Sequence, residues 1–326
     1  MPEVSIIIPN FNSGKFINDL IQSLLVQSFR DWECIIVDDH STDDSIKIIK
    51  EYTYLDNRIK LFERPHFLKK GANSCRNFGF KKSSGKYINW FDADDVMLEN
   101  FLKIKVNSFY VYPNINFLIT SGYTVNENLH KDSYRLKQYK TDGNLYRNYL
   151  KSEIPLITNS VMFKRNFIHF NSFFFNENLH KSQEYDLFSN IFYTAKPSDY
   201  LIIEQPTYLY RNNKNSSSFK NRIKYVKEYK HSQTYVLIKD LTRAINDNDL
   251  ELVGRRHRLL MKMLKKSVDA RDVENVSKIK NIYGKLYEKN KILIFSIQFF
   301  STLFLFLKIE QIRWDVLLKY QKLEVN

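Results

Sequence analysis

Cysteine is nearly missing: Cys34 and Cys75 are the only two in 326 residues, and they form neither a CxxC pair nor a disulfide framework. That favours a reducing compartment or one indifferent to redox state. Eight glycines and seven prolines are too few for a collagen-like or low-complexity chain. The opening MPEVSIIIPNFN carries only a short apolar run, cut by Pro9 and Asn10 and preceded by no basic residue, so no secretory signal peptide is expected. His40, His66, His130, His180 and His231 show no HxxH or HExxH spacing, which argues against zinc ligation. What the chain does have is 43% apolar and 15% aromatic residues, which excludes a disordered tail. Its length fits one large domain or two ordinary ones.

The charge of +14 is uneven. Residues 1–210 hold 25 Lys+Arg against 24 Asp+Glu, a net +1, whereas residues 211–326 hold 25 against 12, a net +13. The first part reads as alternating strands and helices. VSIII (4–8) and ECIIVDD (33–39) are rich in β-branched residues, and between them Phe16, Ile17, Leu20, Ile21, Leu24 and Leu25 recur at helical spacing. Ser41, Thr42 and Asp43 are N-cap residues for a second helix from about Asp43. KLFER (60–64) and KYINWF (86–91) read as strands, with a helix near ANSCRNFGFKKS between them. This pattern predicts an α/β fold with a mostly parallel, Rossmann-like sheet flanked by helices, binding ligands at the carboxyl ends of its strands. After Asp95 mixed strands and loops lead to TYLYR (207–211), then the polar break NNKNSSSFKN, and from about Asn221 a cationic helical region. The expected domains are therefore 1–220 and 221–326. NENLHK occurs at 126 and at 176 without flanking similarity, which reads as coincidence.

WFDADDV places Asp92, Asp94 and Asp95 directly after a strand, with Asp92 and Asp94 at period two. Three acids so close repel one another unless a cation joins them, and hard carboxylate oxygens suit Mg²⁺ or Mn²⁺. The plainer alternative is a solvated turn that caps the next helix. Asp38 and Asp39 end a second strand, and both acidic ends would face one crevice.

VSIIIPNFN, LIQSLLVQSFRDWECIIVDDHSTDDS, CRNFGFKKSSGKYINWFDADD and NENLHKSQEYDLF, in this order, resemble a family 2 glycosyltransferase of the A-type fold over about the first 215 residues. The resemblance implies that Pro9, Phe11 and Asp39, with Asp38 beside it, hold the base of a nucleotide diphosphate sugar. It implies that Arg76 and Asn77 lie near the nucleotide. Within the DXD motif it matches Asp92 to the acid near the ribose and Asp94 to the ligand of Mn²⁺ or Mg²⁺, with Asp95 in support. The family's base sits in an ED pair before an aromatic, where this chain has Gln183, Glu184, Tyr185 and Asp186. Glu184 and Asp186 are the two carboxylates left for that role, or else they stabilise the following helix through its dipole. Also implied is an inverting single displacement of the hexosyltransferase type, from a UDP-sugar to a hydroxyl of a glycan or lipid-linked acceptor, as in surface polysaccharide synthesis. Arg211, Lys214 and Ser216 resemble the family's flexible segment and would either close over the diphosphate or form an ordinary linker.

RRHRLLMKMLKK (255–266) interleaves cations with Leu and Met at helical spacing. It reads as a solvated face, a patch for anionic lipid or a nucleic-acid site, the last disfavoured because no base-reading motif accompanies it. ILIFSIQFFSTLFLFL (292–307) has 12 apolar residues in 16 and as a helix would reach about 24 Å, short of the roughly 30 Å hydrocarbon core. Its broad apolar face would lie in the membrane interface, pack on earlier helices, or form a homo-oligomer contact. These readings place the protein in the cytoplasm, peripheral at the inner face of the membrane. The alternatives are a nucleotide-sugar-binding scaffold without catalysis and a nucleotidyltransferase, the latter lacking its Gly-rich phosphate loop.

Overall fold

The computed structural model describes residues 1–130, 135–136, 139, 143–212, 224–286, 295, 297–299 and 301–302. The chain divides into two compact units, Met1–Glu177 with Gln183–Ser216, and Asn178–Ser182 with Ser217–Asn326.

The first unit is built on a nine-stranded sheet. Its strands are β1 (Val4–Asn10), β2 (Trp32–Asp38), β3 (Ile59–Glu63), β4 (Tyr87–Trp90), β5 (Val96–Met97), β6 (Phe117–Asn126), β7 (Arg135–Leu136), β8 (Val161–Lys164) and β9 (Tyr200–Asn212). Their order is β3-β2-β1-β4-β8-β6-β9-β5, with β7 on β6. The pairs β2–β3, β1–β2, β1–β4 and β6–β9 are parallel, and β8, β5 and β7 run against their neighbours. Following these pairings, β1 to β4, β6 and β9 all point one way, so the α/β expectation of a mostly parallel sheet holds.

Helices α1 (Ile17–Leu25), α2 (Ser45–Leu55), α3 (Ala72–Lys82) and α4 (Phe101–Val111) follow, then α5 (Leu145–Leu150), α6 (Arg165–Phe170) and α7 (Gln183–Thr194). β1 and β2 are buried on both faces, which is why they read as continuous apolar runs and not as alternating ones. On one face Ile17, Leu20, Ile21 and Leu24 of α1 pack with Val4, Ile6, Ile8, Cys34 and Ile36. On the other, α3 lies so close that a Cβ on Gly79 would fall 2.5 Å from the Ile7 side chain. Cys75 of the same helix is buried, as is Cys34 on β2.

Three local expectations need correction. The second helix begins at Ser45, not at Asp43, because Asp43 turns its carboxylate back to accept from Gly14 N at 2.8 Å and Ser45 N at 3.0 Å. The DADD turn does not cap α4, since β5 comes between and Asn100 precedes that helix. The aromatic strand starts at Tyr200, seven residues before TYLYR, because β6 pairs with it from Phe117 onward.

Glu33 is 3% exposed and sits where β1, β2 and the turn before β4 meet. Burial alone would raise its pKa, yet Lys60 (2.8 Å), Ser84 N (2.6 Å) and Ser5 Oγ (2.7 Å) outweigh this and hold it at about 2. A depressed carboxylate pKa stabilises the fold above its unfolded value and loses that contribution as pH falls toward 2. Glu33→Gln should therefore cost about 2 kcal/mol at pH 7, allowing for the half-exposed Lys60, and much less near pH 2.5. Denaturant unfolding at the two pH values checks this, and an equal gap at both would refute it.

The second unit holds α8 (Lys227–Asn246), α9 (Leu250–Asp269) and α10 (Val273–Leu286). In α9, Leu260, Met261, Met263 and Leu264 are buried while Arg258, Lys262 and Lys266 form an exposed row at i, i+4 and i+8, as the basic amphipathic pattern predicts. Among the described residues no helix is long and apolar enough to cross a membrane. Most of the segment 292–307 lies outside the described residues, as do Lys214 and Ser216.

Candidate functional site

The parallel register brings the carboxyl ends of β1, β2 and β3 level, pairing Asn10 with Asp38 and Asp38 with Glu63. Pro9 lies half-buried on β1, and Phe11 stands 48% exposed just beyond it with the Lys70 ammonium 5.0 Å above its ring. Asp38 is buried and faces inward, accepting from Asn10 Nδ2 at 2.6 Å and Ser41 N at 2.8 Å. It fixes the turn after β2. Asp39 is paired with the buried Arg64 and accepts from Gly71 N at 2.8 Å. Gly71 holds a φ of 128°, which an L side chain rarely adopts, so glycine is what lets this amide point at Asp39.

The DADD loop leaves β4 next to β1. Asp95 is fully buried, accepting from Arg211 N at 2.7 Å and from Asn159 Nδ2. Asn159 also takes the Asp92 N–H on its Oδ1 at 3.0 Å, so one amide gathers both ends of the loop. Asp92 and Asp94 remain half-buried. Burial, then Asp92, pushes the Asp94 carboxyl up to about 6. Burial, then Asp94 and Asp92, raises Asp95 well above the usual carboxylate range. Close carboxylates held in a partly desolvated loop fit a hard divalent cation such as Mn²⁺ or Mg²⁺, which would relieve their repulsion.

Two arginines flank the loop. Arg76 reaches from α3 to Asp92 (2.7 Å) and to Gln183 (3.5 Å), stacking its guanidinium over Phe175. It thereby connects the loop to the first turn of α7. Arg211 is 4% exposed and donates to Asp94 O at 2.7 Å, to Glu127 O and to Asp19 at 2.8 Å. It clasps the loop to β9 and α1. Asn77 instead uses its amide on Phe175 (2.9 Å to O, 3.0 Å from N) and Glu177 (2.9 Å), holding the segment that precedes α7.

At the start of α7, Glu184 is half-buried and Asp186 is buried. At 100° per residue they point to nearly opposite sides of the helix. Burial, then Asp95, Asp92, Asp94 and Glu184, pushes the Tyr210 hydroxyl up to about 12. Sequence reasoning missed Arg64, Asn159 and Lys105. The Lys105 ammonium is buried beneath the loop, donating to Asn89 Oδ1 (2.8 Å), Asn159 O (2.7 Å) and Ser160 O (3.3 Å), and burial pulls its pKa well down. Its position between Phe101 and Phe109 on an otherwise apolar helix face was a readable signal, whereas nothing in ITNS marked Asn159.

The sequence profile described as glycosyl transferase family 2 matches residues 5–169. The chain is 32% identical over 145 residues to the E. coli UDP-Glc:alpha-D-GlcNAc-diphosphoundecaprenol beta-1,3-glucosyltransferase WfgD, covering 44% of this chain and 55% of that protein. It is 34% identical over 122 residues to the Campylobacter jejuni GalNAc(5)-diNAcBac-PP-undecaprenol beta-1,3-glucosyltransferase, covering 36% of this chain and 39% of that protein. The chain thus spans about half or less of the length of these curated relatives. The fold is similar to the crystal structure of S. aureus TarS 1-349 in complex with UDP-GlcNAc, with a TM-score of 0.61 at 15% identity over 93% of this chain and 89% of that one. A Pyrobaculum calidifontis mannosyltransferase solved with GDP-Man and Mn²⁺ gives a TM-score of 0.53 at 13% identity over 93% and 85%.

Proposed function

Because the chain belongs to glycosyl transferase family 2, we propose that it is a divalent-metal-dependent inverting hexosyltransferase that uses a UDP-sugar and a glycan or lipid-linked acceptor in surface polysaccharide synthesis. One observation carries the reading: the half-buried Asp92 and Asp94 lie on the same sheet edge as Asp39 and are joined to the first turn of α7 through Arg76. Phe11 and Lys70 would flank the base, beside the Asp39–Arg64 pair. Asp92 and Asp94 would hold Mn²⁺ or Mg²⁺, which supplies Lewis-acid charge neutralisation for the departing diphosphate. Arg76, paired with Asp92, would orient the donor phosphates. Glu184 would take the proton of the acceptor hydroxyl as the new C–O bond forms, so no covalent nucleophile is required.

The names of the E. coli and Campylobacter relatives, which specify undecaprenol-linked substrates, support a lipid-linked acceptor. The cationic row Arg258, Lys262 and Lys266 suits the headgroups of anionic lipid at the inner face of the membrane.

The test is thermal unfolding with UDP, GDP and dTDP, each with and without Mn²⁺. A ligand bound only to the native state at 100 times its Kd adds about 2.7 kcal/mol, which moves the midpoint by about 5 °C. UDP with Mn²⁺ should give that shift, and UDP alone much less. If none of the nucleotides moves the midpoint, the donor assignment fails. A shift without any slow hydrolysis of a UDP-sugar would favour the scaffold reading, motivated by Gln183 standing where the family has Glu.

A further inference from the structure

Along the same carboxyl edge of the sheet, on the outer strands β2 and β3, lies a second cluster of ligating groups. His40 follows β2, Glu63 ends β3 and His66 follows three residues later. One ligand atom from each lies within 4.8 Å of the other two. His40 Nδ1 is 2.5 Å from Glu63 Oε1, and the His40 and His66 rings stack with centroids 4.3 Å apart and planes 16° apart. Nothing in the one-dimensional spacing announced this, because the chain runs through α2 and β3 before returning to His40.

We propose that His40, Glu63 and His66 form a binding site for Zn²⁺, separate from the carboxylate pair Asp92 and Asp94. Three features support it. The donor set is two imidazoles and one carboxylate, the His₂Glu combination that suits zinc and leaves a fourth tetrahedral position to solvent. Oxygen-seeking Mg²⁺ and Mn²⁺ favour the all-carboxylate loop instead, so the two sites would sort cations by ligand chemistry.

Next, the backbone holds His40 in place. Its φ is 62°, a left-handed conformation uncommon for a side chain with a Cβ, and its Nε2 is buried without a hydrogen-bond partner. In this conformation the ring presents Nδ1 to Glu63 and its face to His66, so the donor atoms already converge on the space an ion would fill. Last, little has to move. Ligands of tetrahedral zinc at about 2.0–2.1 Å stand roughly 3.4 Å apart. Glu63 is 65% exposed and His66 is exposed, so both side chains can swing by about an ångström without disturbing the core. β4 is two strands from β2, so this site lies roughly 10 Å or more from the DADD loop. An ion here would tie the exits of β2 and β3 together beside Asp39, Arg64 and Gly71, and it does so whether or not the catalytic reading holds.

The test uses the full chain, stripped with chelator and held in saturating Mg²⁺, titrated calorimetrically with Zn²⁺, with Co²⁺ visible absorption as the second readout. One equivalent should bind, and the Co²⁺ spectrum should be that of a tetrahedral ion. His66→Ala and Glu63→Ala should each weaken zinc by about tenfold or more. Asp94→Ala should leave the affinity unchanged. His40→Gly should abolish binding while keeping the metal-free melting midpoint at or above that of the parent, since glycine accepts this φ. Metal-free midpoints of His66→Ala and Glu63→Ala equal to the parent's show that the loss is one of ligands. No stoichiometric zinc in the parent, unaltered affinity in both His66→Ala and Glu63→Ala, or loss of zinc in Asp94→Ala overturns the assignment.

Discussion

Asp94→Ala is expected to lower sugar transfer about a thousandfold and to abolish the stabilisation by nucleotide that depends on Mn²⁺. The expectation follows from magnitudes. A bound divalent ion contributes several kcal/mol by neutralising charge on the leaving group, and about 4 kcal/mol corresponds to three orders of magnitude in rate. The variant should fold, because Asp95 and not Asp94 carries the buried hydrogen bonds to Asn159 and Arg211. Asp94→Asn should fail similarly, which separates loss of charge from loss of shape. There is a pH consequence with a definite sign. With its carboxyl pushed up to about 6 by burial and Asp92, Asp94 takes up a proton as pH falls through that value. Protons then compete with the cation, so the Mn²⁺ concentration needed for half-maximal activity should rise as pH drops from 7 to 5. Full activity of Asp94→Ala in excess chelator would remove the metal from the reaction.

Glu184→Gln should reduce kcat about a hundredfold or more while leaving the affinity for UDP and Mn²⁺ nearly unchanged. A general base contributes about 10² to 10⁴, and glutamine keeps the size of the side chain while losing its basicity. Asp186→Asn offers the contrast. Asp186 is buried on the other side of α7, so its replacement should show mainly as lower stability. The two variants therefore dissociate: one alters turnover at constant midpoint, the other the midpoint. Normal turnover in Glu184→Gln would move the base to another carboxylate.

The first 95 residues were legible because βαβ units write two periodicities that do not overlap, and because parallel strands buried on both faces appear as unbroken apolar runs. β1, β2, β3, β4 and their helices follow directly. β5 and β7, two residues each, are defined by their partners and leave no periodic trace. β9 was read seven residues short because LIIEQP before TYLYR carries a Glu, a Gln and a Pro, and its pairing is set by β6. The acidic strand ends could be read as well, since strand order alone sends them to one edge. Their supporting residues could not: Asn159 and Arg64 act through positions in space, and each looks ordinary in its own stretch of sequence. Lys105 is different, a charge in the middle of the apolar stripe Phe101, Leu102, Val106 and Phe109, and the conflict itself was the signal.

The two cysteines have a practical consequence. Burial pushes the Cys75 thiol up to about 12 and Cys34 higher still, so at neutral pH neither offers the thiolate that alkylating reagents need. In the folded protein the native thiols are therefore chemically silent. A single cysteine introduced on the solvent side of α9, at Lys262 for instance, would be the preferred site for a fluorophore or spin label without first removing either native residue.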